Sequence, residues 1–204
     1  MRHLLPNGRL QPSAVSAIIR RRSLSADVSR TSILMVVRPA TLEDSRAIAE
    51  IHVRSWQAAY REIVPPAFLD SLSVEQRERV WRQWLERDTS GTSVLEERGE
   101  VLGWVSAGPS RDGDALPSTS ELWAIYVAPE HWRRGVGQRL WNDAEGQFRR
   151  AGFLDVTLWV FKENAGALRF YGANGFVVDP GVEKMVELGG AALIEVRLRK
   201  KLGG

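Results

Sequence analysis

The stretch HWRRGVGQRLW, residues 131–141, sets two glycines one residue apart behind two arginines, between a run of β-formers and an amphipathic segment. A strand that turns through Arg133, Arg134, Gly135, Val136 and Gly137 into a helix builds an anion site. Free N–H groups point out of the helix N-terminus, the dipole favours negative charge, and glycine lets an oxyanion reach the backbone with no Cβ in the way. The arginines add charge, so the expected guest is a phosphate or pyrophosphate. A Walker loop would need G-x-x-x-x-G-K-[ST], and a dinucleotide fingerprint a third glycine where Leu140 stands. ATP and NAD are therefore poor guests. The turn alone equally admits a tight strand-to-helix connection with solvated arginines.

Other residue types exclude further chemistry. The chain has no cysteine, which removes disulfides, thiolate zinc sites and a cysteine nucleophile. No serine sits in a nucleophile elbow. His52 and His131 have no partner at metal-ligand spacing, so they read as core or surface histidines and no metal is expected.

The elements that position the turn follow from periodicity. MVVRP is a first strand, and Thr41 before Glu43 and Asp44 reads as a helix start. Ser55–Arg61, Pro65–Leu69 and Ser73–Arg87 read as further helical pieces broken at Pro65 and Pro66, with Ser73 and Gln76 as a capping pair. TSVLEE, a turn at RGE, VLGWVSAG and ELWAIYV read as three strands, the last ended by Pro129. Leu140, Trp141, Ala144 and Phe148 share a helical face closed by Gly152. LDVTLWVF is a strand, Asn164 to Asn174 a short helix, and GFVV and AALIEVRLRK two final strands. This order predicts one α/β (α+β) domain over 35–204, with a mixed, mostly antiparallel sheet of about seven strands and about four helices.

The formal net charge is +3 over 204 residues. Residues 1–34 carry six arginines and one acid, which leaves the remainder slightly acidic. Basicity belongs to the tail, so no nucleic-acid surface is expected on the folded body. The tail reads as a disordered extension, as sequence upstream of a true start at Met35, as a targeting segment or as a binding arm. No apolar run approaches the roughly 18 residues that cross a bilayer, so no membrane partner is expected and a cytoplasmic location is.

ELWAIYVAPEHWRRGVGQRLW resembles the acetyl-CoA-binding core of the GNAT superfamily of N-acyltransferases. LWVFKENAGALRFYGANGF and VVRPATLEDSRAIAEIHVRSWQAAY are similar to the family's later and first elements, so the resemblance covers about 35–200. It implies a cofactor arm laid along the fourth strand at Ile125 and Val127, and a pyrophosphate on Trp132, Arg133, Arg134, Gly135, Val136, Gly137, Gln138 and Arg139. Trp132 departs from the family's Gln or Arg, which puts a side-chain phosphate contact there in doubt. The resemblance also implies Tyr171 as proton donor to the leaving thiolate, with packing against Leu168 as the plainer alternative. Asn164 is implied as helix cap or cofactor contact, and Glu121 as general base or a solvated strand-start acid. Trp56 and Tyr60 are implied as the acceptor wall, or as core.

The implied function is acetyl-CoA-dependent transfer to a primary amine of a small molecule or peptide, by direct attack in a ternary complex, with a homodimer as a candidate assembly. A non-catalytic CoA-binding sensor and a ribosome- or nucleic-acid-associated protein using the basic arm stand as alternatives. Loop 108–119 could border the acceptor or be an exposed turn.

Overall fold

In the computed structural model, residues 35–203 are described, apart from 88 and 90. Expectations about residues 1–34 lie outside the described residues. Seven strands form among the described residues: β1 (Val36–Pro39), β2 (Thr92–Glu97), β3 (Glu100–Pro109), β4 (Thr119–Val127), β5 (Asp155–Phe161), β6 (Val177–Leu188) and β7 (Ala191–Lys201). The α-helices among the described residues are α1 (Ser45–Ala59), α2 (Pro66–Asp70), α3 (Val74–Arg87), α4 (Val136–Arg150) and α5 (Ala165–Ala173). The helical stretch over 41–61 is one 3₁₀ turn running into one long helix, because no glycine or proline interrupts it. Pro66 at the first position of α2 starts a separate short helix.

The strands make a single sheet in the order β1-β2-β3-β4-β5-β7-β6, antiparallel except for β4 and β5. This is the mixed, mostly antiparallel α/β sheet that the sequence predicts. One face packs Leu140, Trp141, Ala144 and Phe148 of α4 on Leu102, Leu122, Leu158 and Leu198. The other packs Ile48 and Ile51 of α1 and Trp81 and Leu85 of α3 on Val94 and Trp104. Each such fully buried side chain contributes about 1.5–3 kcal/mol. Gly103 in β3 permits the close approach of α4: a Cβ there would lie 3.1 Å from Leu140 Cδ1 and 2.8 Å from the Tyr126 carbonyl.

The join between β4 and β5 is short. The two pair only through Thr119–Asp155, Ser120–Val156 and Glu121–Thr157, and then part. Past Glu121, β4 keeps β3 on one edge and leaves the other bare. A bulge falls at the same place, since Ser106 pairs with Ala124 and Ala107 with Leu122, leaving Trp123 as the extra residue. A β-bulge bends its strand, which accounts for the divergence. Strand β6 runs well beyond the expected GFVV, because Pro180 and Gly181 fall in a register shift between Val178 and Glu183 rather than ending the strand. Among the described residues no helix is long and apolar enough to cross a membrane.

Candidate active site

The turn ahead of α4 has the geometry of an anion cradle. Arg133 and Gly135 take left-handed φ of 61° and 80°, and Gly135 is the N-cap of α4. A non-glycine residue in that region costs about 1–2 kcal/mol, and such strain collects where a ligand is held. A Cβ on Gly135 would meet nothing within 4 Å, so glycine is needed there for its φ and not for space. Successive N–H groups in this conformation converge on a concavity suited to an oxyanion.

The turn closes one end of a cleft of about 1100 Å³ that follows the bare edge of β4. Of the residues expected to hold the cofactor, Ile125, Val127, Trp132, Arg133, Gly135, Gly137, Gln138 and Asn164 line this cleft. Three do not. Val136 is 1% exposed and packs in the core under α4, so only its backbone is available. Arg134 is held by His131 at 2.7 Å and Glu97 at 3.4 Å. Arg139 is exposed and its amide already closes the first helical turn on Gly135. Asn164 caps α5, accepting from the Ala167 amide at 3.0 Å. The Trp132 indole donates to the Val127 carbonyl at 2.7 Å, and the Ser55 hydroxyl donates to the same oxygen.

All three tyrosines of the chain, Tyr60, Tyr126 and Tyr171, line the cleft. Tyr171 packs with the α4 side of the sheet and Tyr60 and Tyr126 with the opposite side, so the gap beside β4 connects both faces. Burial pushes the Tyr171 phenol well above its ordinary value, with a smaller contribution from Tyr126, and burial also raises Tyr60 and Tyr126. A phenol held neutral in this way is a proton donor and not a base.

Two expected site residues stand elsewhere. Glu121 is 2% exposed, does not line the cleft, and accepts from the Arg111 backbone N–H at 2.8 Å and its guanidinium at 2.6 Å. Trp56 is buried behind the wall and donates its indole N–H to the Tyr126 hydroxyl at 2.9 Å, while its expected partner Tyr60 does reach the cleft. His131 has two carboxylates near it in space, its sequence neighbour Glu130 and Glu100, which the fold brings in from β3. Glu130 is paired with Arg54 at 2.7 Å and the histidine with Arg134, so the group is a surface charge network. Sequence reasoning missed Tyr126, Trp123 and Trp159. Alternation along ELWAIYV would have set Tyr126 opposite Ile125 and Val127, but nothing signals the bulge that turns out Trp123.

An open mixed sheet whose central strands part toward an anion-binding helix N-terminus can take a phosphate-bearing ligand with a long extended arm. Residues 50–176 match the Acetyltransferase (GNAT) family, and the chain belongs to it. It is similar to the uncharacterized N-acetyltransferase YuaI of Bacillus subtilis (34% identical, 81% of this chain and 92% of that protein). It is also similar to the spermidine N(1)-acetyltransferase of Thermoplasma acidophilum (24% identical, 70% and 88%). Among solved structures, yncA of Salmonella typhimurium with its cofactor acetyl-CoA aligns with TM-score 0.62 and 26% identity over 82% of this chain and 94% of that one.

Proposed function

We propose that this protein transfers the acetyl group of acetyl-CoA to a primary amine of a small molecule or peptide, by direct attack with both substrates bound. The observation that carries the reading is the bare edge of β4, which leads from beside Tyr171 to the glycine turn. Backbone groups around Ile125 and Val127 would hold the pantetheine arm as an added strand. The N–H groups from Arg133 to Gly137 and the Arg133 guanidinium would take the pyrophosphate. The acetyl-CoA held by yncA and the spermidine in the name of a relative support the substrate pair.

The thioester supplies the activated acetyl group. The residues of this chain then have three tasks. The backbone N–H groups of β4 at the bulge offer hydrogen bonds to the oxygen that gains charge. Tyr171 gives its proton to the sulfur as the C–S bond breaks, and the phenolate regains a proton through solvent as the attacking nitrogen loses its second one. The cleft stays open to solvent, and with Glu121 bound by Arg111 the acceptor loses its proton to water.

Calorimetry of the full chain with acetyl-CoA, beside ATP and NAD, tests the cofactor assignment, and CoA release on adding an amine tests the transfer. Selective acetyl-CoA binding followed by amine-dependent release is expected. A folded protein that does not bind acetyl-CoA would mean that the Trp132 indole keeps the Val127 carbonyl and closes the arm's track, and the reading would fall.

A further inference from the structure

Resting on the cofactor reading above, we infer that the Trp132 indole is a latch: it holds the place of the cofactor's arm, leaves when the arm binds and returns as the spent cofactor departs. The Ala128 N–H donates to the Leu102 carbonyl of β3 at 2.9 Å. Backbone groups alternate in direction along a strand, so those of Val127 point away from β3, toward the bare edge. Val127 ends β4, which makes its carbonyl the last acceptor on that edge before the glycine turn. It is already taken. The Trp132 indole donates to it at 2.7 Å and the Ser55 hydroxyl at 2.9 Å.

A carbonyl oxygen has two lone pairs, and these two donors fill them. An arm laid along β4 as an added strand brings its own amide N–H groups to the same edge, and a further donor finds no lone pair there. One of the two residents must leave. Ser55 is 2% exposed, so releasing it would bury a hydroxyl without a partner. Trp132 is 42% exposed and follows the 3₁₀ turn Pro129–His131. Its indole N–H can pass from the carbonyl to water with no buried donor left unmet, so Trp132 is the one that yields.

The exchange trades one neutral N–H for another, so the arm gains little at Val127 and the spent cofactor meets a competitor for its place. The latch thus weakens cofactor binding and favours release. Trp132 is also where the sequence departs from the family's Gln or Arg, so the device belongs to this chain and not to the fold at large. The acceptor would enter from the face opposite α4, where Trp123 meets Trp84 of α3 and lines the cleft. Trp123 stands about 13 Å back along β4 from Val127, so the exchange concerns the cofactor end.

The test follows the Trp132 indole N–H of the isotope-labelled full chain by NMR, with the resonance assigned through the backbone. Acetyl-CoA is compared with 3′-phosphoadenosine 5′-diphosphate, which keeps the phosphates and lacks the arm. Acetyl-CoA is expected to shift that resonance and speed its exchange with water, and the nucleotide to leave its exchange unchanged. Trp132→Phe keeps the ring and removes the donor, so calorimetry should show acetyl-CoA bound about 2- to 10-fold more tightly, the worth of one neutral hydrogen bond, with the nucleotide's affinity within about twofold. An indole that stays bonded and slow to exchange with acetyl-CoA in place overturns the inference and leaves the cofactor reading standing. So does a folded Trp132→Phe variant that binds acetyl-CoA no more tightly than the parent. Failure of both parent and variant to bind acetyl-CoA refutes the cofactor reading itself, and the inference with it.

Discussion

Gly108→Ala is a small change with a large expected effect at the acceptor side. Gly108 pairs with Glu121 across β3 and β4, and the Trp123 indole lies against it: a Cβ there would sit 2.4 Å from both Cη2 and Cζ2. An ordinary contact needs about 3.5–4.0 Å, so the ring must move by about 1 Å. It is held from moving by the edge of Trp84 and by Arg111 stacked above it. Overpacking of this kind costs about 1–3 kcal/mol, which for a domain of this size lowers Tm by roughly 2–12 °C. Misplacing a substrate-contacting group by 1 Å costs on the order of 100-fold in rate. Thermal melting, acetyl-CoA calorimetry and acceptor kinetics on the variant separate the consequences. Acceptor kcat/KM should fall by about 10- to 100-fold while acetyl-CoA affinity stays within about twofold, since the glycine turn is at the other end of the cleft. A folded variant with unchanged acceptor kinetics would refute the placement of Trp123 in the acceptor wall.

Further predictions concern the cofactor end, proton transfer and stability. Tyr171→Phe should lower kcat by roughly 10²–10⁴ with little change in acetyl-CoA affinity; a kcat within a factor of two of the parent would remove Tyr171 as proton donor. Because burial raises that phenol above its ordinary value, it stays protonated as pH rises, so kcat should show no descending limb below about pH 10, while kcat/KM climbs toward the acceptor amine's own pKa. A fall beginning near pH 8.5 that Tyr171→Phe abolishes would contradict this. Gly135→Ala forces a Cβ into a backbone with φ of 80°, at about 1–2 kcal/mol, and should weaken acetyl-CoA binding more than it weakens any amine; equal affinity by calorimetry would count against the cradle. Burial alone would raise the Asp44 carboxyl, but the hydrogen bonds from Arg38 and Thr41 outweigh it and hold the group below its ordinary value. A depressed carboxyl stabilises the fold above its unfolded pKa of about 3.9 and loses that contribution as pH falls through the folded value. Asp44→Asn should therefore lower urea stability at pH 7 and flatten its decline in acid, and an unchanged pH dependence would show that the pair is too solvated to matter.

Much of the fold could be read from periodicity, because each strand or helix buries one face against its neighbours. The strand ends set by Pro109 and Pro129, the face of α4 and the Asn164 cap all follow from local rules. The length of β6 could not be read, since Pro180 and Gly181 usually end a strand and here occupy an irregular stretch of one. At the candidate site the glycine turn and Tyr171 carry local signals. Glu121 does not: its type and position suit a base, and only the fold brings Arg111 ten residues away onto it. Trp56 and Tyr60 are one helical turn apart and share one buried cluster, yet only Tyr60 reaches the cleft, a difference of depth that spacing alone does not specify. Trp123 depends on a one-residue bulge, which changes the face of every side chain on one side of it.

The short join between β4 and β5 also bears on how the domain unfolds. Three residue pairs connect a four-strand portion of the sheet to a three-strand portion, so the backbone ladder is discontinuous across the middle of the molecule. A ligand arm lying in the gap would supply hydrogen bonds where a strand is missing, and would behave as part of the folding unit. Anything that binds only the native state stabilises it by about 2.7 kcal/mol at a hundredfold excess over Kd. Those amides of residues 123–127 that face the bare edge should then exchange with solvent quickly in the free protein and slowly in the bound one, making the cell's supply of that ligand a determinant of the protein's lifetime as well as its turnover.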